Sequence, residues 1–231
     1  HLSIRRQRQM CIRDSSKSAL VNLLSGSSGA IAPRYDCEAL LRHSIWGEGG
    51  ARGKYGMEKY SLAIAPARYV QGENALYTQE KIMSDFGRRA FLIGEEFILK
   101  KFSYQINSLL RRKEVLSGLF NRECSKTEIR RLLRLAEKGK AQFVAGIGGG
   151  KALDTAKAVG YYARLPVVTI PTSAATCAAW TALSAIYTQD GRARGYLILD
   201  RCPEVVLVDT RIMANAPVRY LVAGMADGLA K

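Results

Sequence analysis

The residues best suited to chemistry lie in the segment AGIGGGKALDTAK, residues 145–157. Gly148, Gly149 and Gly150 are consecutive, and Lys151 follows them directly. Because glycine has no Cβ, a ligand can approach this backbone closely, and amide groups at the start of a helix favour an anion. The lysine adds a positive charge. The segment therefore predicts a turn that binds a phosphate group.

Two common phosphate loops resemble this segment, and it departs from both. The dinucleotide fingerprint requires a third glycine where Lys151 stands. The mononucleotide P-loop requires a glycine at Ala145 and a serine or threonine at Ala152. A tight strand-to-helix turn without a ligand is the other interpretation, although a single glycine usually suffices for that.

A second polar segment is IPTSAATCAAWTALS, residues 170–184. Thr172, Ser173, Thr176 and Thr181 carry hydroxyl groups that can hydrogen-bond a ribose, a nicotinamide amide or a phosphate. Helix capping and local turn bonding are the competing roles for each of them.

The elements that position these residues alternate between strand and helix. Ser125 with Glu128 predicts a capping box, and Gly139 ends the same helix. Such alternation indicates a parallel sheet covered on both faces, where ligands collect at the carboxyl ends of the strands. We predict strands at 69–71, 89–94, 114–120, 142–148, 166–172 and 204–209, and helices at 75–86, 97–110, 125–139 and 151–162.

One part of the pattern departs from this alternation. The runs ALSAIYT and RGYLILD flank Gln189, Asp190 and Gly191, a hairpin turn signal. The sequence thus predicts a Rossmann-like α/β fold with an antiparallel β-hairpin excursion.

The composition narrows the class of protein. The net charge is +15, and residues 57–231 still hold 26 Lys and Arg against 16 Asp and Glu. These basic clusters are mixed with acids on helical patterns and lack interleaved aromatic residues, which predicts solvated helix faces and no nucleic-acid partner. No apolar run approaches the ~20 residues of a membrane span. The five cysteines show neither metal spacing nor a disulfide framework, which favours a reducing cytoplasm.

Both ends of the sequence are unusual. Residues 5–15 reproduce the translation of a transposon-type sequencing adapter, and residues 16–56 show no sustained periodicity. We therefore predict that 1–56 is adapter and untranslated leader, with translation starting at Met57; a basic targeting peptide is the alternative. The final VRYLVAGMADGLAK has a helical pattern without a stop signal, so we expect the gene product to continue.

Several segments together resemble one enzyme family. GIGGGKALDTAKAVGYY, VVTIPTSAATCAAWTALSAIYTQDG, VVLVDT and APVRYLVAGMADGLAK resemble consecutive segments of the glycerol dehydrogenase branch of the iron-containing (group III) alcohol dehydrogenases. YVQGENAL resembles the family's opening strand. The resemblance implies an NAD-binding α/β domain at 57–216. At 217–231 it implies the first helix of an all-helical domain that is otherwise missing.

The same resemblance implies an activity. It is hydride transfer between a small alcohol or polyol and NAD, assisted by one divalent metal, zinc or iron, in a full-length protein that forms a homo-oligomer. Asp154 and Lys157 belong to the family signature, and we assign them to structure or loop anchoring.

Individual roles follow from the resemblance as well. Glu95 would bond the adenosine ribose and favour NAD over NADP, although Arg88 and Arg89 nearby keep NADP possible. Asp227 matches a metal ligand at the catalytic centre beside the substrate, and its partners would be two histidines that this chain lacks. The implied cofactor-binding residues are Glu95, Gly148, Gly149, Gly150, Lys151, Thr172, Ala175, Thr181, Leu183 and Tyr187.

Two departures from the family bear on the substrate. Cys177 stands where glycerol dehydrogenases usually have an aspartate, and Ala175 where they have a serine. Losing the carboxylate removes an acceptor for polyol hydroxyls and a group that would repel a carboxylate substrate. A 2-hydroxycarboxylate dehydrogenase is therefore the alternative to a polyol dehydrogenase. A nucleotide-binding module without catalysis is a third interpretation.

Overall fold

The computed structural model describes residues 64–230. The predicted adapter and leader at 1–56, and the predicted start at Met57, lie outside these residues. The strands are β1 (Arg68–Gly72), β2 (Arg89–Gly94), β3 (Glu114–Leu119), β4 (Phe143–Gly148), β5 (Val167–Pro171), β6 (Leu183–Tyr187), β7 (Ala193–Ile198) and β8 (Val205–Asp209). The helices are α1 (Ala75–Thr78), α2 (Glu96–Lys101), α3 (Ser103–Leu109), α4 (Lys126–Lys138), α5 (Gly150–Ala163), α6 (Thr210–Ala214) and α7 (Val218–Leu229), with a 3₁₀ helix at Glu80–Asp85.

Six strands form one sheet in the order β1-β8-β5-β4-β2-β3, and every pair in it is parallel. The predicted parallel α/β architecture is therefore confirmed. The central strand β4 is buried along its whole length because helices cover both faces of the sheet. Its side chains alternate accordingly: Phe143 and Ala145 join one hydrophobic core and Val144 the other.

The predicted hairpin is also confirmed. β6 and β7 pair antiparallel, and Gly191 at their turn has φ 83°, which favours glycine. Ile186 and Leu197 insert into the core beside α4 and α5, so the hairpin packs against these two helices. Tyr187, the last residue of β6, donates its amide to the Cys124 carbonyl over 2.8 Å.

Two helices that were predicted as continuous are each divided into two elements. The helix predicted at 75–86 is α1 followed by a 3₁₀ helix, and the one predicted at 97–110 is α2 followed by α3. Phe102 joins α2 to α3 outside helical geometry, with φ −108° and ψ 21°. Its ring is buried in the core beside Ile106. Burial of this ring overrides the local helical periodicity.

The start of α4 bears out only half of the predicted capping box. Ser125 Oγ accepts the Glu128 amide over 3.2 Å, whereas the Glu128 carboxylate accepts from the Asn121 amide and from Arg131. The helix ends at Lys138, next to the Gly139 that was predicted to end it, and Lys140 adopts the left-handed conformation with φ 50°. A Cβ at Gly139 would lie 2.2 Å from Leu116 Cδ2, so a larger residue there would require the Leu116 side chain to move.

Two expectations from composition concern the described residues. No helix within 64–230 is long and apolar enough to cross a membrane. No disulfide links Cys124, Cys177 and Cys202, the cysteines of this region. The predicted cytoplasmic location stays a prediction.

Candidate functional site

The glycine turn lies where the sheet reverses its order. From β2 the chain continues outward to β3, whereas from β4 it continues to β5 on the other side. Because β2 and β4 are neighbours, Glu95 and Gly149, which follow them, border the same crevice. Ligands of open parallel sheets bind at this switch point.

The backbone of the turn is open to a ligand. Gly148 has φ 144°, a conformation that other residues rarely adopt. Gly149 is the N-cap of α5, and no side chain caps the helix. A Cβ built on Gly149 would meet nothing within 4 Å. Since the first amides of a helix have no partner inside it, this turn offers N–H groups to an anion.

Lys151 is placed beside the turn by an ion pair. Its Nζ lies 2.7 Å from both carboxylate oxygens of Glu123 and 4.5 Å from the centre of the Tyr187 ring. The structure therefore brings together Lys151 and Tyr187, two of the predicted cofactor residues. Glu123 was not predicted as a site residue, because its only signal in the sequence is an acidic residue shortly after the carboxyl end of β3.

A buried ion pair fixes the loop that leads into the hairpin. Lys157 is 1% exposed, and its Nζ lies 2.8 Å from Asp154 Oδ1. The same Nζ donates to the carbonyl of Thr181 over 3.1 Å and to that of Leu183. Asp154 Oδ2 accepts the Ala185 amide over 3.0 Å. Both residues thus anchor the loop, in agreement with the role assigned from sequence.

The electrostatics of this pair reflect its burial. Desolvation raises the pKa of Asp154 above its ordinary value of 3.8, and the adjacent ammonium of Lys157 opposes that rise. The pair holds Thr181 and Leu183, two predicted cofactor residues, at the edge of the site.

The loop after β5 lies over the glycine turn. The Thr172 amide donates to the Gly148 carbonyl over 3.1 Å, and a Cβ on Gly150 would stand 3.1 Å from Thr176 Oγ1. Thr176 Oγ1 also accepts the Ala178 amide over 3.1 Å, the local turn bond that we weighed as its competing role. The partly buried Ala175 and the exposed Cys177 belong to the same loop.

Asp227 lies on α7, the helix that contacts this loop. A Cβ on Gly224 would lie 1.7 Å from the Ala174 carbonyl oxygen, so α7 approaches the loop at a distance that only glycine permits. Asp227, three residues further on, is on the same side of the helix and is partly buried. Within 64–230 no group of three or more His, Cys, Asp or Glu side chains could hold a metal ion. These residues contain one candidate ligand and not a complete metal site.

Arg88 and Arg89 are at the opposite end of the sheet from the crevice. They stand at the amino end of β2, whereas Glu95 follows its carboxyl end. At about 3.3 Å per residue, the six steps from Arg89 to Glu95 along β2 separate the two by roughly 20 Å. Arg88 pairs with Glu114, and Arg89 donates to the Lys140 carbonyl. The expectation that these arginines lie near the ribose position was therefore wrong.

Comparison with known proteins agrees with this geometry. The family model "Iron-containing alcohol dehydrogenase" matches residues 66–210. A glycerol dehydrogenase of Thermotoga maritima is 49% identical over 171 residues, which are 74% of this chain and 47% of that protein. Hydroxycarboxylate dehydrogenase A of Escherichia coli is 48% identical over 114 residues, 49% of this chain and 31% of its relative.

A solved structure shows the same fold. The crystal structure of a probable glycerol dehydrogenase from Sinorhizobium meliloti superimposes with a TM-score of 0.68 at 31% identity, covering 73% of this chain and 46% of that one. The chain thus spans about half the length of such relatives.

Proposed function

Because this chain belongs to the iron-containing alcohol dehydrogenase family, we propose that it binds NAD for hydride transfer to and from a small polyol or alcohol. The observation that carries the proposal is the uncapped glycine turn at the switch point of the sheet. The first amides of α5 have no partner inside the helix and no side-chain cap, and Gly149 leaves room for a ligand beside them. The relatives named glycerol dehydrogenase support a polyol as the substrate.

Each side of the crevice would bind a different part of the dinucleotide. The amides of Gly149 and Gly150, with Lys151, would hold the diphosphate. Glu95, at the end of β2, would accept the hydroxyls of the adenosine ribose. Its carboxylate disfavours a 2′-phosphate, and the remote Arg88 and Arg89 do not offset it. We therefore propose NAD in preference to NADP.

The loop after β5 and the hairpin would line the rest of the cofactor. Lys157 fixes the backbone of Thr181 and Leu183, so their positions are set before a ligand arrives. Tyr187 presents its ring beside the Lys151 ammonium. A preformed wall of this kind lowers the entropic cost of binding.

Membership of the family also implies a divalent metal, zinc or iron. Such a metal supplies Lewis-acid chemistry by lowering the pKa of a bound hydroxyl. We propose Asp227 as one of its ligands, because a carboxylate oxygen suits either metal. The described residues do not complete such a site. Their contribution is to bind the cofactor and to hold the Asp227 helix against the loop after β5.

One observation favours the 2-hydroxycarboxylate alternative. Cys177 is exposed in the loop that contacts the Asp227 helix. The aspartate usual at this position in glycerol dehydrogenases would repel an acidic substrate, whereas a cysteine does not carry that carboxylate. The similarity to hydroxycarboxylate dehydrogenase A is compatible with this alternative. The proposed partners are thus a small alcohol, polyol or 2-hydroxy acid, and further copies of the chain in a homo-oligomer.

Two measurements test the proposal. Calorimetric titration of the 231-residue chain with NAD and with NADP should show binding, with the tighter association for NAD. NADH formation by the full-length gene product should be measured with glycerol, 1,2-propanediol and 2-hydroxybutyrate. The rate should fall when a chelator is added, and the rates with the three substrates show which of them the enzyme prefers. Binding without turnover would favour a nucleotide-binding module, and binding of neither dinucleotide would refute the proposal.

A further inference from the structure

The Lys151 ammonium already has an anionic partner next to the glycine turn. Both Glu123 oxygens lie 2.7 Å from its Nζ, with the Tyr187 ring on another side at 4.5 Å. The two side chains are partly accessible, 39% for Lys151 and 21% for Glu123. A ligand arriving at the turn would therefore meet a lysine whose charge is offset by a carboxylate.

Glu123 is held in place by its surroundings. Its own amide donates to the Asn121 carbonyl, and its carbonyl accepts the Ser125 amide, each over 2.8 Å. A Cβ on Gly191, at the tip of the hairpin, would stand 3.3 Å from Glu123 Oε1, so the carboxylate abuts the hairpin. The contact with Lys151 is thus built by the chain between β3 and α4 and by the hairpin together.

Charge interactions favour replacement of the Lys151–Glu123 ion pair by a Lys151–diphosphate pair when a diphosphate binds. A partly exposed ion pair contributes little to stability, so breaking it costs little. A carboxylate left beside a diphosphate would repel it, whereas a lysine turned to the diphosphate gains a more highly charged partner. We propose that Glu123 competes with the diphosphate of the cofactor for Lys151, so that binding replaces one ion pair by another. This inference rests on the proposed function and identifies a residue that sets its affinity.

Glu123→Gln tests the competition, because it removes the charge and keeps the shape. NAD and inorganic pyrophosphate should each bind about two- to fivefold tighter to this variant, the change expected for one partly exposed ion pair. The gain should be clearly smaller when Lys151→Met is also present, because only the direct repulsion between Glu123 and the diphosphate then remains to be relieved. Glu123→Asp, whose shorter side chain reaches Lys151 less well, should change affinity in the same direction and carries the test if the glutamine variant does not fold.

Glu137→Gln is the matched control. Glu137 is exposed near the far end of α4 and carries the same charge, so its removal should leave both affinities unchanged. Unchanged or weaker binding by both Glu123 variants would overturn the inference. So would a gain that is equally large without Lys151, or an equal gain in the Glu137 variant.

The outcomes also separate this inference from the proposed function. NAD binding by the unmodified chain, with no response to the Glu123 variants, would overturn the inference alone. A response to pyrophosphate without any dinucleotide binding would overturn the proposed function, and the competition would then hold only for a free diphosphate. Absence of both kinds of binding would overturn the two together.

Discussion

Gly224 of α7 lies so close to Ala174 that a methyl group at position 224 would stand 1.7 Å from the Ala174 carbonyl oxygen. Neither backbone can yield cheaply at that distance. This contact joins α7 to the loop after β5, and it sets the position of Asp227 one turn later. The position of the proposed metal ligand therefore depends on the contact between Gly224 and Ala174.

Gly224→Ala should separate α7 from the loop. Amide hydrogen exchange of residues 218–229 should become about tenfold faster, because the added methyl group cannot be accommodated. Gly228→Ala is the control, since a Cβ there meets nothing within 4 Å. It should slow exchange, because alanine stabilises a helix by about 0.5–1 kcal/mol relative to glycine. Equal protection in the two variants would show that the close contact does not hold the helix.

Gly149→Asp should convert the ligand site into a capped helix. Gly149 has φ −79° and ψ 177°, which aspartate adopts without strain, and its carboxylate would bind the amides of the first turn. We expect equal or higher thermal stability with NAD binding weakened about tenfold or more. Gly149→Ala adds a methyl group in the same open space without a charge, so it measures the steric part of the loss, and NAD should bind more weakly to the aspartate variant than to the alanine variant. Calorimetry and thermal unfolding on both variants measure the two effects, and unaltered NAD affinity in the aspartate variant would contradict diphosphate binding at this turn.

Lys157→Met should destabilise the fold by about 3–5 kcal/mol at neutral pH, because it leaves the Asp154 carboxylate buried without its cation. Urea unfolding measures the loss. Asp154→Asn in the same chain should restore part of it, since no buried charge then remains. Lys138→Met, at an exposed position, should change stability by less than about 0.5 kcal/mol.

The stability of the Lys157→Met variant should depend on pH in a defined direction. Burial already raises the pKa of Asp154, and removal of Lys157 removes the main opposing effect. A carboxyl whose folded pKa exceeds its unfolded pKa binds more protons in the folded state, so it costs stability above the folded pKa and less as the pH falls. The destabilisation by Lys157→Met should therefore shrink on acidification. A loss that is constant between neutral and mildly acidic pH would indicate that Asp154 is not the group left uncompensated.

The parallel sheet could be predicted because its strands are short buried runs between turn residues, and burial makes such runs uniformly apolar. β2 was predicted with both of its ends correct for this reason. The break between α2 and α3 could not be predicted from the sequence, because it allows Phe102 to be buried among residues from other elements. Local periodicity carries no information on that contact.

The candidate site shows the same division. The glycine turn is contiguous, so its chemistry is visible in the sequence. Glu123 meets Lys151 across 28 residues, and the pairing requires the chain beyond β3 to lie next to α5. Arg88 and Glu95 are only seven residues apart, yet a strand places them at opposite ends of the sheet. Arg88 and Glu95 are close in sequence but far apart in the structure, whereas Glu123 and Lys151 are far apart in sequence but in contact.

Cys177→Asp should shift the substrate preference of the longest natural gene product. The exposed Cys177 belongs to the loop that α7 contacts, and an aspartate there would accept polyol hydroxyls and repel a carboxylate. We expect the ratio of kcat/KM for glycerol to that for 2-hydroxybutyrate to rise on the order of tenfold, the range expected from one hydrogen-bonded group. Cys177→Ser, which adds no charge, is the control and should shift the ratio far less. An unchanged ratio in the aspartate variant would place Cys177 outside the substrate contact, and the choice between polyol and hydroxy acid would then rest on other residues.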